Sequence, residues 1–380
     1  MNCICEKEKC TGCAACQNIC PVEAVTMELN NEGFLYPRIN SNLCIHCEKC
    51  KSICPQNHAV EQNLPFQVYK AYSNDLEVLK KSTSGGIFSE LAKQIIAMGG
   101  IVFGARLNSD FSVSHYYSET LEGCFDMCGS KYIGSRINNC YKEVKKFLIN
   151  KKNVMFSGTP CEIAGLKSYL EGTDQSRLLT CDFICHGVGS EKVFKNFVSF
   201  LEEKNSSRVK KIYFRKKCGN YRHSKMVVVF ENNLQVKMPS YRNPFGFPFS
   251  TGKINRISCS ICPYANSKRV SDITLSDLIH NLTPKEARNG ASMVLINTDQ
   301  GMERINHCDI FKTNLTLDYA LLIQSHLSRP QQIHSERSQI FATMNSHSFE
   351  EMANKYFIPE KKSIFKRVKI KLWKLLKNKE

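Results

Sequence analysis

The sequence holds a single tryptophan, no low-complexity tract, and no apolar run near the ~20 residues that a membrane-spanning helix requires. Its opening stretch, MNCICEKEKC, lacks the apolar core of a secretion signal, so the expected setting is the cytoplasm with reduced thiols. Acidic residues are also in short supply, 35 against 52 Lys and Arg, which leaves a net charge of +17. Such an excess would suit a nucleic-acid binder, but no DNA- or RNA-binding module is present and nucleic acid is not expected as a partner. The excess is instead uneven: residues 361–380 carry nine Lys or Arg against one Glu.

What is abundant is cysteine. There are twenty, and ten fall within the first 54 residues. Cys10, Cys13, Cys16 and Cys20-Pro21 have the spacing C-x2-C-x2-C-x3-C-P, and Cys44, Cys47, Cys50 and Cys54-Pro55 repeat it 34 residues later. In the bacterial ferredoxin run three closely spaced thiolates wrap one [4Fe-4S] cluster while the fourth crosses to the other. One cluster is therefore expected on Cys10, Cys13, Cys16 and Cys54, the other on Cys44, Cys47, Cys50 and Cys20. Four-cysteine zinc sites also use C-x2-C pairs, but they need two pairs rather than three cysteines in register plus a fourth. Between the copies, AVTMELNNEGFLYPRIN predicts two short strands around Asn30, Asn31 and Gly33. Paired low-potential clusters move single electrons, so this unit is a wire.

Beyond a polar linker at residues 57–66 the pattern changes. YKAYS, IVFGARL, NVMFSG and LLTCDFIC predict strands, while GIFSELAKQIIAMG, NNCYKEVKKFLINK, CEIAGLKSYLEG and SEKVFKNFVSFLEEKN have helical spacing of apolar residues. Residues 208–240 predict antiparallel hairpins and ASMVLINT another buried strand. The expected fold is an α+β, ferredoxin-like 2x[4Fe-4S] domain followed by a larger α/β domain with a mixed sheet. Expected boundaries are 1–60 for the dicluster domain, 66–310 for the α/β domain, 311–360 for a helical extension and 361–380 for a basic amphipathic tail.

The larger domain holds the other ten cysteines. Cys161 in FSGTPCEIAGL and Cys185 in FICHGV both follow predicted strands, at the sheet edge where open α/β folds bind ligands. Cys259 and Cys262 form a C-x2-C-P pair. Two singles and a pair suffice for a third [4Fe-4S] cluster, although buried cysteines are more often small hydrophobes. No role is assigned to Cys3, Cys5, Cys124, Cys128, Cys140, Cys181, Cys218 or Cys308.

SGGIFSELA at 84–92, GSKYIGS at 129–135, FSGTPCEIAGLKSYL at 156–170, FICHGV at 183–188, CSICP at 259–263 and SDITLSD at 271–277 together resemble the family of coenzyme F-420 hydrogenase and dehydrogenase beta subunits. The version with an N-terminal dicluster ferredoxin is the most similar. The resemblance implies that Cys161, Cys185, Cys259 and Cys262 ligate a cluster, and that FAD lies near Ser84, Gly85, Gly86 and Lys131. On physical grounds TSGG at a helix start could hold a phosphate, or could be an ordinary N-cap. After SDIT, Ser276, Leu278 and Ile279 depart from the family's glycine and aromatic pattern.

His186 is a candidate proton donor, or a backbone-bonded neighbour of the cluster. Arg215, Lys216, Lys217, Arg222 and His223 could bind an anion or form a solvated hairpin. The tail, with Phe365, Val368, Leu372, Trp373, Leu375 and Leu376 between basic residues, could lie on anionic lipid, dock an acidic partner or be solvated. The reading that follows is an iron-sulfur flavoprotein oxidoreductase passing electrons from a ferredoxin-type carrier through clusters to FAD and an unknown small-molecule substrate, in surface-polysaccharide biosynthesis. It would be cytoplasmic, at the inner face of the membrane. The alternatives are a non-catalytic electron-transfer subunit paired with hydrogenase or dehydrogenase subunits, and a structural protein.

Overall fold

The structure is a computed structural model and describes residues 4–359. The strands are β1 Val25–Leu29, β2 Leu35–Ile39, β3 Gln67–Ser73, β4 Ile101–Leu107, β5 Val113–Ser118, β6 Ser135–Arg136, β7 Val154–Ser157, β8 Leu178–Phe183, β9 Val209–Cys218, β10 Asn220–Phe230, β11 Gln235–Pro239, β12 Ile273–Asp277, β13 Ser292–Ile296 and β14 Ile310–Leu315. β1 and β2 form an antiparallel hairpin whose turn is held by Asn30, its Oδ1 accepting from the N–H groups of Glu32 and Phe34.

The large domain is built on one mixed sheet of nine strands in the order β14-β3-β13-β12-β8-β7-β4-β5-β6. Its centre, β12-β8-β7-β4, is parallel, and antiparallel strands extend it on both sides. Alternation decides the faces. Ile101, Phe103, Val154 and Phe156 pack against the helices Cys140–Ile149 and Pro160–Tyr169 on one side. Val102 and Met155 point the other way, against Ile87, Leu91, Ala92 and Ile95 of the helix Ile87–Ala97. A separate antiparallel sheet, β11-β10-β9, buries its inner face under the helix Glu191–Asn205 through Val193, Phe194, Phe197 and Leu201.

The expected hairpins at 208–240 are this second sheet. The expected boundary at residue 310 falls at the first residue of β14, which pairs with β3 along its full length. The region 311–360 therefore begins as a sheet edge and becomes helical only from Leu317. It is also tied back into the molecule, since Arg337 pairs with Glu32 of the N-terminal domain at 2.6 Å. No helix among the described residues is long and apolar enough to cross a membrane. The tail 361–380 lies outside the described residues.

Candidate iron-sulfur centres and the cavity beside them

The two copies of the cysteine motif repeat in backbone as well as in sequence. Gly12 and Ala14 have positive φ in the first loop, and His46 and Glu48 have it at the equivalent places in the second. Each loop thus curls twice into the left-handed region and then enters a short helix, Ala15–Ile19 or Lys49–Ser52. That curl turns successive thiols inward. Cys10, Cys13, Cys16 and Cys54 line one small cavity, together with Cys5, and Cys20, Cys44, Cys47 and Cys50 line another. Cys5, to which no role was assigned, hydrogen-bonds with Cys10 and Cys54. Cys3 lies outside the described residues.

A third quartet gathers at the large domain. Cys161 is the second residue of the helix Pro160–Tyr169, whose start is fixed by a capping box: Glu162 Oε2 accepts from the Thr159 N–H at 2.7 Å. Cys185 follows β8, Cys259 lies in a 3-10 turn, and Cys262 caps that turn. Gly187 lets these segments meet, because a Cβ there would stand 3.3 Å from that of Cys259. Cys185 and Cys262 both act electrostatically on Cys161, and Cys259 and Cys262 on Cys185. Burial raises all four thiols, that of Cys259 to about 11, so an apo site would hold them protonated. A zinc ion would crowd its sulfurs at ~2.3 Å from one centre, whereas a four-iron cluster spreads them.

The first and third quartets are neighbours. Gly165, one turn beyond Cys161 on the same helix, lies against Cys13: a Cβ on Gly165 would come within 3.0 Å of the Cys13 Cβ and 3.1 Å of its Sγ. Tyr141 ties the two elements, its hydroxyl being within 2.9 Å of the Cys13 carbonyl and 2.7 Å of the Glu162 carbonyl. Tyr264 is buried between the sets, subject to Cys161 and Cys262 on one side and Cys13 and Cys54 on the other. Sequence reasoning missed both contacts, for nothing local to Gly165 or Tyr264 marks them.

At the carboxyl ends of β7, β8 and β12 lies a cavity of about 360 Å3, within the ordinary range for ligand sites. Ser84, Gly86, Lys131, Cys185, His186 and Asp277 are among its lining residues. Gly86 caps the helix Ile87–Ala97 without a side-chain acceptor. Gly85 instead sits behind the wall, with its N–H donating to Ser292 Oγ at 2.9 Å. Lys131 is not poised for a phosphate: its ammonium donates to the Met127 and Cys128 carbonyls at 2.6 and 3.1 Å, and burial lowers its pKa to about 8.

His186 has both ring nitrogens occupied. Nε2 donates to the Ser250 carbonyl at 3.1 Å and Nδ1 faces Nε2 of His326 at 2.8 Å. Burial, followed by the charge of His326, lowers its pKa to about 4. Within the basic cluster, buried Arg215 pairs with Asp277, and Lys217 holds the carbonyls of Leu79 and Ser84 at 2.8 and 2.6 Å. Lys216 and His223 are exposed, and the side chain of Arg222 lies outside what is described. Two aspartates at the ends of the β12 segment are both engaged: Asp272 accepts from Thr180 and Thr298, and Asp277 from Arg215 and Tyr221. In the departing stretch, Ser276 lines the cavity, Leu278 is buried and Ile279 is exposed.

With that geometry in place, residues 9–58 match the family of 4Fe-4S dicluster domains. Residues 151–313 match the family described as the C terminus of the coenzyme F420 hydrogenase/dehydrogenase beta subunit. The chain thus carries a region similar to that family behind a region that matches 4Fe-4S dicluster domains. It is 22% identical over 190 residues to one subunit of the F(420)H(2) dehydrogenase of Methanosarcina mazei, a match covering 47% of this chain and 54% of that protein. The chain thus spans about half the length of that curated relative. Its fold is similar to a chain in a xenon-derivatised F420-reducing [NiFe] hydrogenase complex from Methanosarcina barkeri, with a TM-score of 0.50 and 18% identity over 75% of this chain and 94% of that one. Ser84, Gly85, Gly86 and Lys131 fall outside both family matches.

Proposed function

We propose that this chain is the iron-sulfur electron-transfer subunit of a larger redox complex of the coenzyme F420 hydrogenase or dehydrogenase type. The observation that carries the reading is the contact of Cys13 with Gly165, one turn from Cys161, which brings the first quartet beside the third. Cys44, Cys47, Cys50 and Cys20 would hold the outer cluster, where Cys47 is exposed. Cys10, Cys13, Cys16 and Cys54 would hold the middle one, and Cys161, Cys185, Cys259 and Cys262 the distal one. Each cluster supplies a one-electron carrier. The residues of this chain orient them, exclude water and bring the last to the edge of the cavity.

A flavin in that cavity is the finer part of the proposal. It is supported by the cavity's volume, its closeness to Cys185 and the uncapped helix start at Gly86, whereas Lys131 gives it no support. The two relatives come from a dehydrogenase and a hydrogenase complex, which favours a partner-bound subunit over an enzyme acting alone. A surface-polysaccharide substrate rested on the tail alone and is not carried forward. A reductive titration of the anaerobically prepared chain tests the reading: about three electron equivalents are expected from clusters alone and about five with one flavin. An uptake of about two would leave only the N-terminal pair and overturn the distal centre.

A further inference from the structure

The first and third quartets meet around an arginine whose charge is otherwise unexplained. Four arginines are buried among the described residues: Arg215, Arg256, Arg269 and Arg337. Three face a carboxylate, Arg215 on Asp277, Arg269 on Asp182 at 2.9 Å and Arg337 on Glu32 at 2.6 Å. Arg256, 3% exposed, pairs with no carboxylate among the described residues. Its Nε donates to the Cys10 carbonyl and its Nη1 to the Leu35 carbonyl, both at 2.8 Å, and its guanidinium lies 4.0 Å from the centre of the Tyr36 ring. Nη2 is buried without a hydrogen-bond partner. A buried cation with neither counter-charge nor full hydrogen bonding is the costliest state for an arginine, so its surroundings must supply an anion that protein atoms do not.

The position of Arg256 identifies that anion. On one side it holds the carbonyl of Cys10, and Gly12 leaves room for it, since a Cβ there would stand 3.2 Å from Nη1. On the other side its own carbonyl accepts from the Cys259 N–H at 3.1 Å, and its N–H donates to the carbonyl of Val188 at 2.9 Å. With Thr11, Gly12, Thr159 and Cys161 it lines a void of about 30 Å3 between the two domains. Its charge favours the thiolate of Cys10 and that of Cys259 alike. A four-iron cluster on four thiolates is an anion, more so with each electron added, and nearby charge and hydrogen bonds set its potential.

We infer that Arg256 is the shared counter-ion of the middle and distal clusters, a positioning residue that holds both at potentials between which one electron can pass. The step would be a bare transfer of one electron between the two clusters, one being oxidised as the other is reduced, and no bond would form or break. This inference rests on the cluster assignment proposed above. The test is therefore read on full-length protein prepared anaerobically, with iron measured beside the midpoint potentials obtained by EPR-monitored titration.

Wild-type chain with fewer than about twelve irons would contradict the assignment itself. Given full loading, Arg256→Gln is expected to lower two of the three cluster potentials by about 59 mV or more, a tenfold or greater change for a one-electron couple, and to leave the third in place. Arg256→Lys, which keeps the charge, should shift them less. Unmoved potentials in loaded Arg256→Gln protein, or an equal shift of all three, would overturn the inference. If Arg256→Gln fails to retain iron, Arg256→Lys decides: full iron with near-wild-type potentials supports a counter-ion, and the same loss of iron overturns it.

Discussion

Gly165 stands where any side chain would have to displace a proposed cluster ligand. Its missing Cβ is what lets Cys13 lie on the helix that begins beside Cys161. Replacing it by leucine overpacks a buried contact, and Gly165→Leu is expected to cost about 1–3 kcal/mol and lower the Tm of the loaded protein. An unchanged Tm would mean that the two domains do not meet there. His115 makes a second prediction at this scale. It is buried and stacked on Phe156, with Nε2 donating to the Ser157 carbonyl at 3.0 Å and Nδ1 2.7 Å from Ser135 Oγ. Burial lowers its pKa below the ordinary 6.5. The unfolded chain therefore binds the proton more readily, and stability should be full above about pH 6.5 and fall as the pH drops below it. Denaturant midpoints measured between pH 7 and 5 should decline more steeply for wild type than for His115→Gln, and parallel curves would contradict this.

At the scale of elements, legibility followed locality. The twin loops were readable because each set of closely spaced ligands is fixed by one turn of chain, and the repeat of left-handed residues at Gly12 and Ala14, then His46 and Glu48, carries the same geometry twice. The central strands β4, β7 and β8 were readable as apolar runs bounded by turns, since they are buried on both faces. β5 and β14 were not, because VSHYYS and IFKTNL mix polar and half-exposed residues toward the sheet edges. Cys161 and Cys185 could be placed at strand ends from sequence, yet their meeting with Cys259 and Cys262 depends on Gly187 and on segments far apart in the chain. The contacts of Arg256 and Tyr264 left no local signal, because their partners lie more than 200 residues away at Cys10 and Cys13.

Across the whole molecule, the nine-strand sheet serves to bring strand ends, cavity and one cysteine quartet to a single edge, and the N-terminal domain is fastened there by Tyr141, Arg256 and the Arg337–Glu32 pair. The outer quartet remains near the surface while the middle one is buried between domains. That gradient from exposed to enclosed would suit the electron path proposed above, since only its ends must meet partners. The central claim is that the chain carries three four-iron clusters. Iron and acid-labile sulfide determined on the anaerobically purified full-length protein test it directly: about twelve of each per chain are predicted, and about eight, with the EPR signature of a dicluster domain alone, would contradict it.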